Sequence, residues 1–446
     1  MLVSPLYPIF FGHVAFAAGV VILASALTCM ESSYKRPVYF FLLLSAAFIC
    51  QYQLPLSTLA AGVRSMLPIV ATVAVLQIFI VPIAVGRYDL ALRQYLREHF
   101  RSGGSLSLFL HLATHIFGAL LSLGAVPLVF SIFNGSISGR VNEYKRFIVT
   151  AESRGFAMST IWAPGAASVM LAMQATGAEW FGIFACTSGL AIAGIITSVL
   201  MEKKLQAVKY RDRPAPAMPE EGGDIGPDRE NTKKVVTLLF AAAAMILLIT
   251  VMEQAHIWTN PTRILTACLT VCFFWVLRYY RHPGLKQAWQ GFWGNACNTL
   301  PGLAALFISM GIFSEAVDQS GLLNDIFACL TAEIGAFGKY VLFFVPPFLL
   351  LISGAGIHPF VSLMILGKIL NAALGIPHQD ILIAFSLVLG GALSYIASPF
   401  TGTVLILSSL TDSSSRKVAF NWNGLFAAVF LLEGLTALFL IQLFLL

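Results

Sequence analysis

Apolar runs of span length follow one another through nearly the whole chain, and that succession limits the fold more than any motif does. A bilayer core requires roughly 20 consecutive apolar residues per helix. Runs of that kind stand near 7–29, 37–53, 65–86, 105–133, 147–175, 179–201, 235–252, 261–280, 298–318, 340–370, 381–410 and 419–446. Charged residues make up 11% of the 446, against 58% apolar, at a mean hydropathy of +0.83, which is too few to cover a soluble globule. The predicted class is an all-α polytopic membrane protein with about twelve membrane elements.

The first run is expected to be a retained helix. No Lys or Arg precedes Lys35, and the run is too long for the core of a signal peptide. Seven cysteines, an odd number scattered mostly through apolar stretches, argue against a disulfide framework.

Basic residues set orientation, because they concentrate on the cytoplasmic side of a span. With the N-terminus outside, and with 105–133 and 340–370 threaded as hairpins that return to their own side, 23 of the 27 Lys and Arg fall inside. Only Arg64, Arg263, Lys339 and Lys368 remain outside. This predicts a cell-membrane (inner-membrane) protein with both termini outside. The Pro-, Gly- and charge-rich segment 202–234 is then a cytoplasmic linker between halves 1–201 and 235–446.

The halves repeat each other. GFAMSTIWAPGAASVML from Gly155 lies over GGALSYIASPFTGTVLI from Gly390, at an offset of 235 with identities at Gly155/Gly390, Ser159/Ser394 and Pro164/Pro399. Leu67-Pro68 matches Leu300-Pro301 at 233, and Gly124, Pro127 and Val129 match Gly356, Pro359 and Val361 at 232. Three anchors in order at nearly one offset mark an internal repeat. The charge-derived threading runs the second copy in the opposite sense, the inverted arrangement of many secondary transporters.

In such folds solute binds at mid-membrane where helices break and free their backbone groups. Breaks are expected at Ala163-Pro164-Gly165 and at Ser398 to Thr403, with hairpin tips at Ser122 to Pro127 and Ser353 to Pro359. Helix N-termini there would attract an anion, and carbonyls and hydroxyls would hold a hard cation. The expected substrate contacts are Ser122, Gly124, Pro164, Ser168, Ser353, Gly354, Gly356, His358, Ser398, Thr401 and Thr403, with Arg154 reaching in from its helix. Ser159, Ala163, Ser394 and Gly402 are the expected cation ligands. Midspan Asp and Glu are scarce, which favours sodium over a carboxylate proton relay, while His358 keeps proton coupling open. His111 and His115 share a helix face but lack the Glu of a metalloprotease motif, so no metal is expected. Residues 87–101, RYDLALRQYLREHFR, read as an amphipathic interfacial helix, with a repeat partner near 322–337.

The order of these elements, a helix trio, an interfacial helix, a re-entrant hairpin, a broken helix and a closing helix, then the same again inverted, resembles the ion transporter superfamily, which includes divalent anion:sodium symporters and arsenite and sodium/proton antiporters. Those symporters show a Gly-Thr-Pro-type string where the second break of this chain has SPFTGT. The symporters typically carry Ser-Asn-Thr at the tips, where this chain has Ser122-Leu-Gly and Ser353-Gly-Ala. The resemblance implies a scaffold (1–86, 179–201, 235–318, 419–446), a transport domain (105–175, 340–410) that moves as an elevator, and a homodimer. The expected function is cation-coupled symport of a small organic anion such as a carboxylate. A sodium/proton or inorganic-anion antiporter is the first alternative, and an intramembrane enzyme a more distant one. The expected partners are the anionic solute and membrane lipid, without nucleic acid or any cofactor beyond the coupling ion.

Overall fold

The computed structural model describes residues 8–99, 103–137, 141, 143–205, 228–321 and 337–445. The first half gives α1 (Pro8–Cys29), α2 (Ser32–Gln51), α3 (Ser57–Gln77), α4 (Ile80–Val85), α5 (Tyr88–His99), α6 (Gly103–Leu121), α7 (Ala125–Ile137), α8 (Tyr144–Thr160), α9 (Ala167–Thr176) and α10 (Trp180–Leu205). The second gives α11 (Asp228–Gln254), α12 (Asn260–Leu277), α13 (Leu285–Gln319), α14 (Val345–Gly354), α15 (Pro359–Ala373), α16 (Gln379–Ala397), α17 (Gly402–Thr411) and α18 (Gly424–Leu445), with a π-helix at Lys417–Trp422. Among the described residues nine helical stretches are long and apolar enough to cross a membrane. Leu43, Phe240, Leu351 and Phe444 are each more than 70% exposed, as side chains facing lipid are. The expected partner of the interfacial helix falls almost wholly outside the described residues, as does most of the linker.

Both expected hairpins form. α6 and α7 are joined by a short 3-10 turn, with Ser122 in the left-handed region at φ 52°. The arms return side by side: Phe109 of α6 packs edge-on against Phe133 of α7 at 5.5 Å between ring centroids. In the second hairpin Gly390 of α16 meets Pro346 and Leu349 of the first arm, and the adjacent Gly391 meets Leu363 of the second, so both arms flank one helix. At 1.5 Å per residue, arms of 10 to 19 residues reach only part or about all of the way through a hydrocarbon core of about 30 Å.

Helix ends fall at two faces of the bundle. At one, Thr58 donates to Gln319 (2.6 Å), Gln442 donates to the Lys339 carbonyl (3.2 Å), and Lys368 pairs with Asp318. At the other, Lys145 reaches the Thr411 carbonyl at 2.8 Å, and Arg87, Lys233 and Arg278 line one cavity. The repeat-related helices α3 and α13, each with an internal proline (Pro68, Pro301), pack antiparallel. Their axes close at Gly62 and Gly311, where a Cβ on Gly311 would stand 2.4 Å from the Gly62 carbonyl oxygen. Equivalent helices running in opposite directions are the structural expression of an inverted repeat.

Two packed bodies result. α1, α2, α3 and α13 form one, continued by α11 and α12; the hairpins and broken helices form the other. The closing helices α10 and α18, which the sequence groups with the scaffold, pack on α6, α8 and α16. Between the bodies, Gln174 donates to the Ser65 carbonyl (3.3 Å), Leu76 fills the space over Gly165, and Phe307 stacks on Phe360 at 5.6 Å. The two groups also meet where Arg263 of α12 pairs with Glu179, just before α10 (2.6 Å), and the Phe181 amide donates to Glu253 of α11 (3.0 Å). The interfacial helix is observed as α5, buried along Tyr88, Leu92 and Leu96 and tied to α7 by Arg93 donating to the Ser131 carbonyl (3.0 Å).

Candidate functional site

Both expected breaks exist. α8 stops at Thr160 and α9 resumes at Ala167; α16 stops at Ala397 and α17 resumes at Gly402. Each break lies against the last turns of its own hairpin's first arm. A Cβ on Gly118 would meet Ser159 Oγ at 2.4 Å, and Trp162 Nε1 donates to His115 Nε2 at 3.1 Å. In the second repeat Ser398 Oγ donates to the Ser353 carbonyl at 2.8 Å, and Ser394 Oγ lies 3.5 Å from the Leu349 carbonyl.

The two breaks differ in access. Residues 161–166 are all buried, and the chain satisfies its own freed groups there. Ser168 Oγ donates to the Thr160 carbonyl (2.7 Å), Trp180 Nε1 to the Trp162 carbonyl (2.9 Å), and the Ala163 amide to the Ser159 carbonyl (2.9 Å). Pro164, Ser168, Ser159 and Ala163 therefore sit in a closed joint. The second break is open on one side, where Phe400 is 55% exposed.

Around that second break both hairpin tips converge. Leu123, next to Ser122 and Gly124, reaches within 3.1 Å of where a Cβ on Gly402 would stand, and Phe400 lies against Gly356, whose φ of +95° only glycine adopts readily. Gly124, Ala355, Gly356 and Ile357 are exposed beside it, with Gly354 half-buried. His358 caps α15: its Nδ1 accepts from the Phe360 amide (3.3 Å), and Pro359 at the first helical position has no amide to satisfy. Thr401 Oγ1 turns back to the Ser398 carbonyl at 3.0 Å, closing the end of α16, so the start of α17 has no side-chain cap. Its first amides are left free, as at any uncapped helix start. Two hydroxyls flanking this junction, Ser353 Oγ and Thr403 Oγ1, are buried without a hydrogen-bond partner among the described residues. A buried polar group left unpaired costs about 1–3 kcal/mol, which a ligand that pairs it recovers.

Arg154 lies elsewhere. Its guanidinium donates to Asn423 Oδ1 (2.9 Å), Ser198 Oγ (3.1 Å) and the Trp422 carbonyl (2.8 Å), pairs with Glu202 (3.3 Å), and covers the Phe426 ring at 4.7 Å. His111 joins through Nε2 to Ser198 Oγ (2.7 Å). This closed network pins α8 to α10, α6 and the start of α18, and leaves no guanidinium nitrogen facing either break. Sequence proximity suggests Glu152 as the arginine's partner, but residues two apart on a helix point about 200° from each other. Both Glu152 carboxylate oxygens are instead buried without a hydrogen-bond partner among the described residues. For Asn423 and the π-helix before it, an asparagine at the start of a membrane helix is the one local signal in the sequence.

No protein-family model matches the chain, and no curated sequence does either. Solved structures do. The YdaH transporter of Alcanivorax borkumensis superposes with a TM-score of 0.58 at 15% identity, over 90% of this chain and 97% of that one. Neisseria gonorrhoeae MtrF, described with a class of antimetabolite efflux pumps, superposes at 0.49 and 10% identity, over 90% and 94%. The first likeness shows that this chain has the fold of a membrane transporter along nearly its whole length.

Proposed function

We propose that this protein is a secondary active transporter that carries a small organic anion, coupled to a cation, with the solute bound where both hairpin tips meet the second helix break. One observation carries the reading. The uncapped start of α17, the unpaired Ser353 and Thr403 hydroxyls and the exposed Phe400 ring lie together where both hairpin tips meet. Free amides at a helix start suit a carboxylate, and neutral hydroxyls beside carbonyl oxygens suit sodium. The fold shared with a transporter supports the same reading, as does the resemblance to the ion transporter superfamily. The packing of the hairpins and broken helices into a group apart from α1, α2, α3 and α13 supports an elevator movement.

Glu152 favours a second reading of the coupling ion. A carboxylate with both oxygens unpaired inside a membrane protein is a site for a transported proton. Its neighbouring helices offer it no charge: His111 is held by Ser107 and Ser198, His115 by Trp162, and Glu202 by Arg154.

Proteoliposomes loaded against a panel of labelled mono- and dicarboxylates test both. An inward sodium gradient is expected to drive uptake of at least one anion, and uptake driven by a proton gradient and lost in Glu152→Gln would assign the coupling to the proton. Sodium/proton exchange without anion movement would point to an antiporter, and no uptake of any carboxylate under either gradient overturns the proposal.

A further inference from the structure

A strongly basic cavity lies apart from the proposed solute site. It measures about 310 Å³ and is lined by Arg87, Lys233, Lys234 and Arg278 over a floor of Tyr88 and Tyr279. A second hollow of about 590 Å³ shares Lys233 and Arg278 with it and adds Arg229. Against these five cations stand Glu230, taken by Lys234 at 3.3 Å, and Asp89, 3.9 Å from Arg87. Lys233, Arg278 and Arg229 have no ion pair among the described residues. The chain thus holds like charges together where three separate segments meet: the start of α5, the start of α11 and the end of α12. The starts of α5 and α11 add the positive ends of two helix dipoles.

The floor is built rather than incidental. Trp275 Nε1 donates to the Tyr88 hydroxyl at 3.1 Å and Tyr279 lies 3.4 Å from the same oxygen. Gly86 leaves the room: a Cβ there would stand 2.3 Å from the Tyr88 ring and 2.6 Å from the Tyr279 hydroxyl.

From the cavity an apolar strip runs down the lipid-facing side of α11 through Val236, Phe240, Leu247 and Val251, all more than half exposed, beside Phe273 and Phe274 of α12. Basic groups above, tyrosines at the boundary and an apolar strip below match the three zones of one lipid molecule. We infer that this cavity is a binding site for an anionic phospholipid: its phosphate sits among Arg87, Lys233 and Arg278, and its acyl chains lie along the α11 strip. A free phosphate would use the cations but not the strip.

Full-length protein in detergent, titrated with phosphatidylglycerol, phosphatidylcholine or inorganic phosphate, tests this by native mass spectrometry and thermal shift. The wild type is expected to bind phosphatidylglycerol at least tenfold more tightly than phosphatidylcholine, with inorganic phosphate at millimolar concentration failing to compete. Lys233→Gln with Arg278→Gln is expected to bring the preference within about twofold, while Lys35→Gln with Arg36→Gln, on another helix, keeps it. The wild-type comparison stands even if the double variant folds poorly. Equal affinity for the two lipids, displacement by inorganic phosphate, or equal loss in both double variants overturns the inference.

Discussion

Arg154 illustrates what a single residue can tell before its partners are known. Eight residues after Arg146 on one helix, it lies about 12 Å deeper, so its depth follows from spacing alone. Its partners do not, because Ser198, Glu202 and Asn423 stand 44 to 269 residues away. The arginine is a fastener between helices. Removing one member of a buried pair leaves the other charge uncompensated, at a cost of about 3–5 kcal/mol. Arg154→Met is therefore expected to lower the detergent melting temperature sharply, and Glu202→Gln to lower it less, since Ser198 and Asn423 still hold the guanidinium. A protein with an unchanged melting temperature but weakened solute affinity would return Arg154 to the solute site. The same logic separates Ser168, which closes its own joint, from Thr403, whose hydroxyl has no such task.

At the scale of elements, the breaks and tips were legible because proline and glycine announce them locally, and their repetition at one offset removed the ambiguity of any single kink. The tight packing that they serve was not legible. Gly155 and Gly390, identical across the repeat, each let a broken helix approach the first arm of its hairpin, against His111 and Pro346, which are themselves 235 residues apart. A Cβ on Gly155 meets the His111 carbonyl oxygen at 2.6 Å, whereas one on Gly390 meets Leu349 at its Cδ1 (2.6 Å) and Cβ (2.9 Å) and the Pro346 Cα at 3.1 Å. Overpacking typically costs about 1–3 kcal/mol. Gly155→Ala and Gly390→Ala are both expected to fall within that range, with Gly124→Ala near zero because nothing lies within 4 Å of its Cβ position. Thermal unfolding of the three variants checks the order. Which break is open was equally hidden: both carry Pro and Ser, and only Trp162, Trp180 and Leu76 closing over the first make it a joint.

For the whole molecule, hydropathy and charge were enough to predict a polytopic helical bundle of two opposed halves. Which helices pack together depends on contacts between distant elements: the composition of α10 and α18 is that of any span, while their packing partners include α6, α8 and α16. In the proposed movement the body carrying the second break shifts against the body containing α3 and so presents that break to each side of the membrane in turn. Phe400→Cys, in a background without the seven native cysteines, places one thiol at the open break. Ser65→Cys with Gln174→Cys, at the contact between the bodies, allows them to be locked. In sealed vesicles a membrane-impermeant thiol reagent is predicted to label position 400 from either side. With the 65–174 disulfide formed beforehand, labelling is predicted from one side only, with the other restored by reductant in unlabelled vesicles. Labelling from a single side whether or not the bodies are locked would contradict the account.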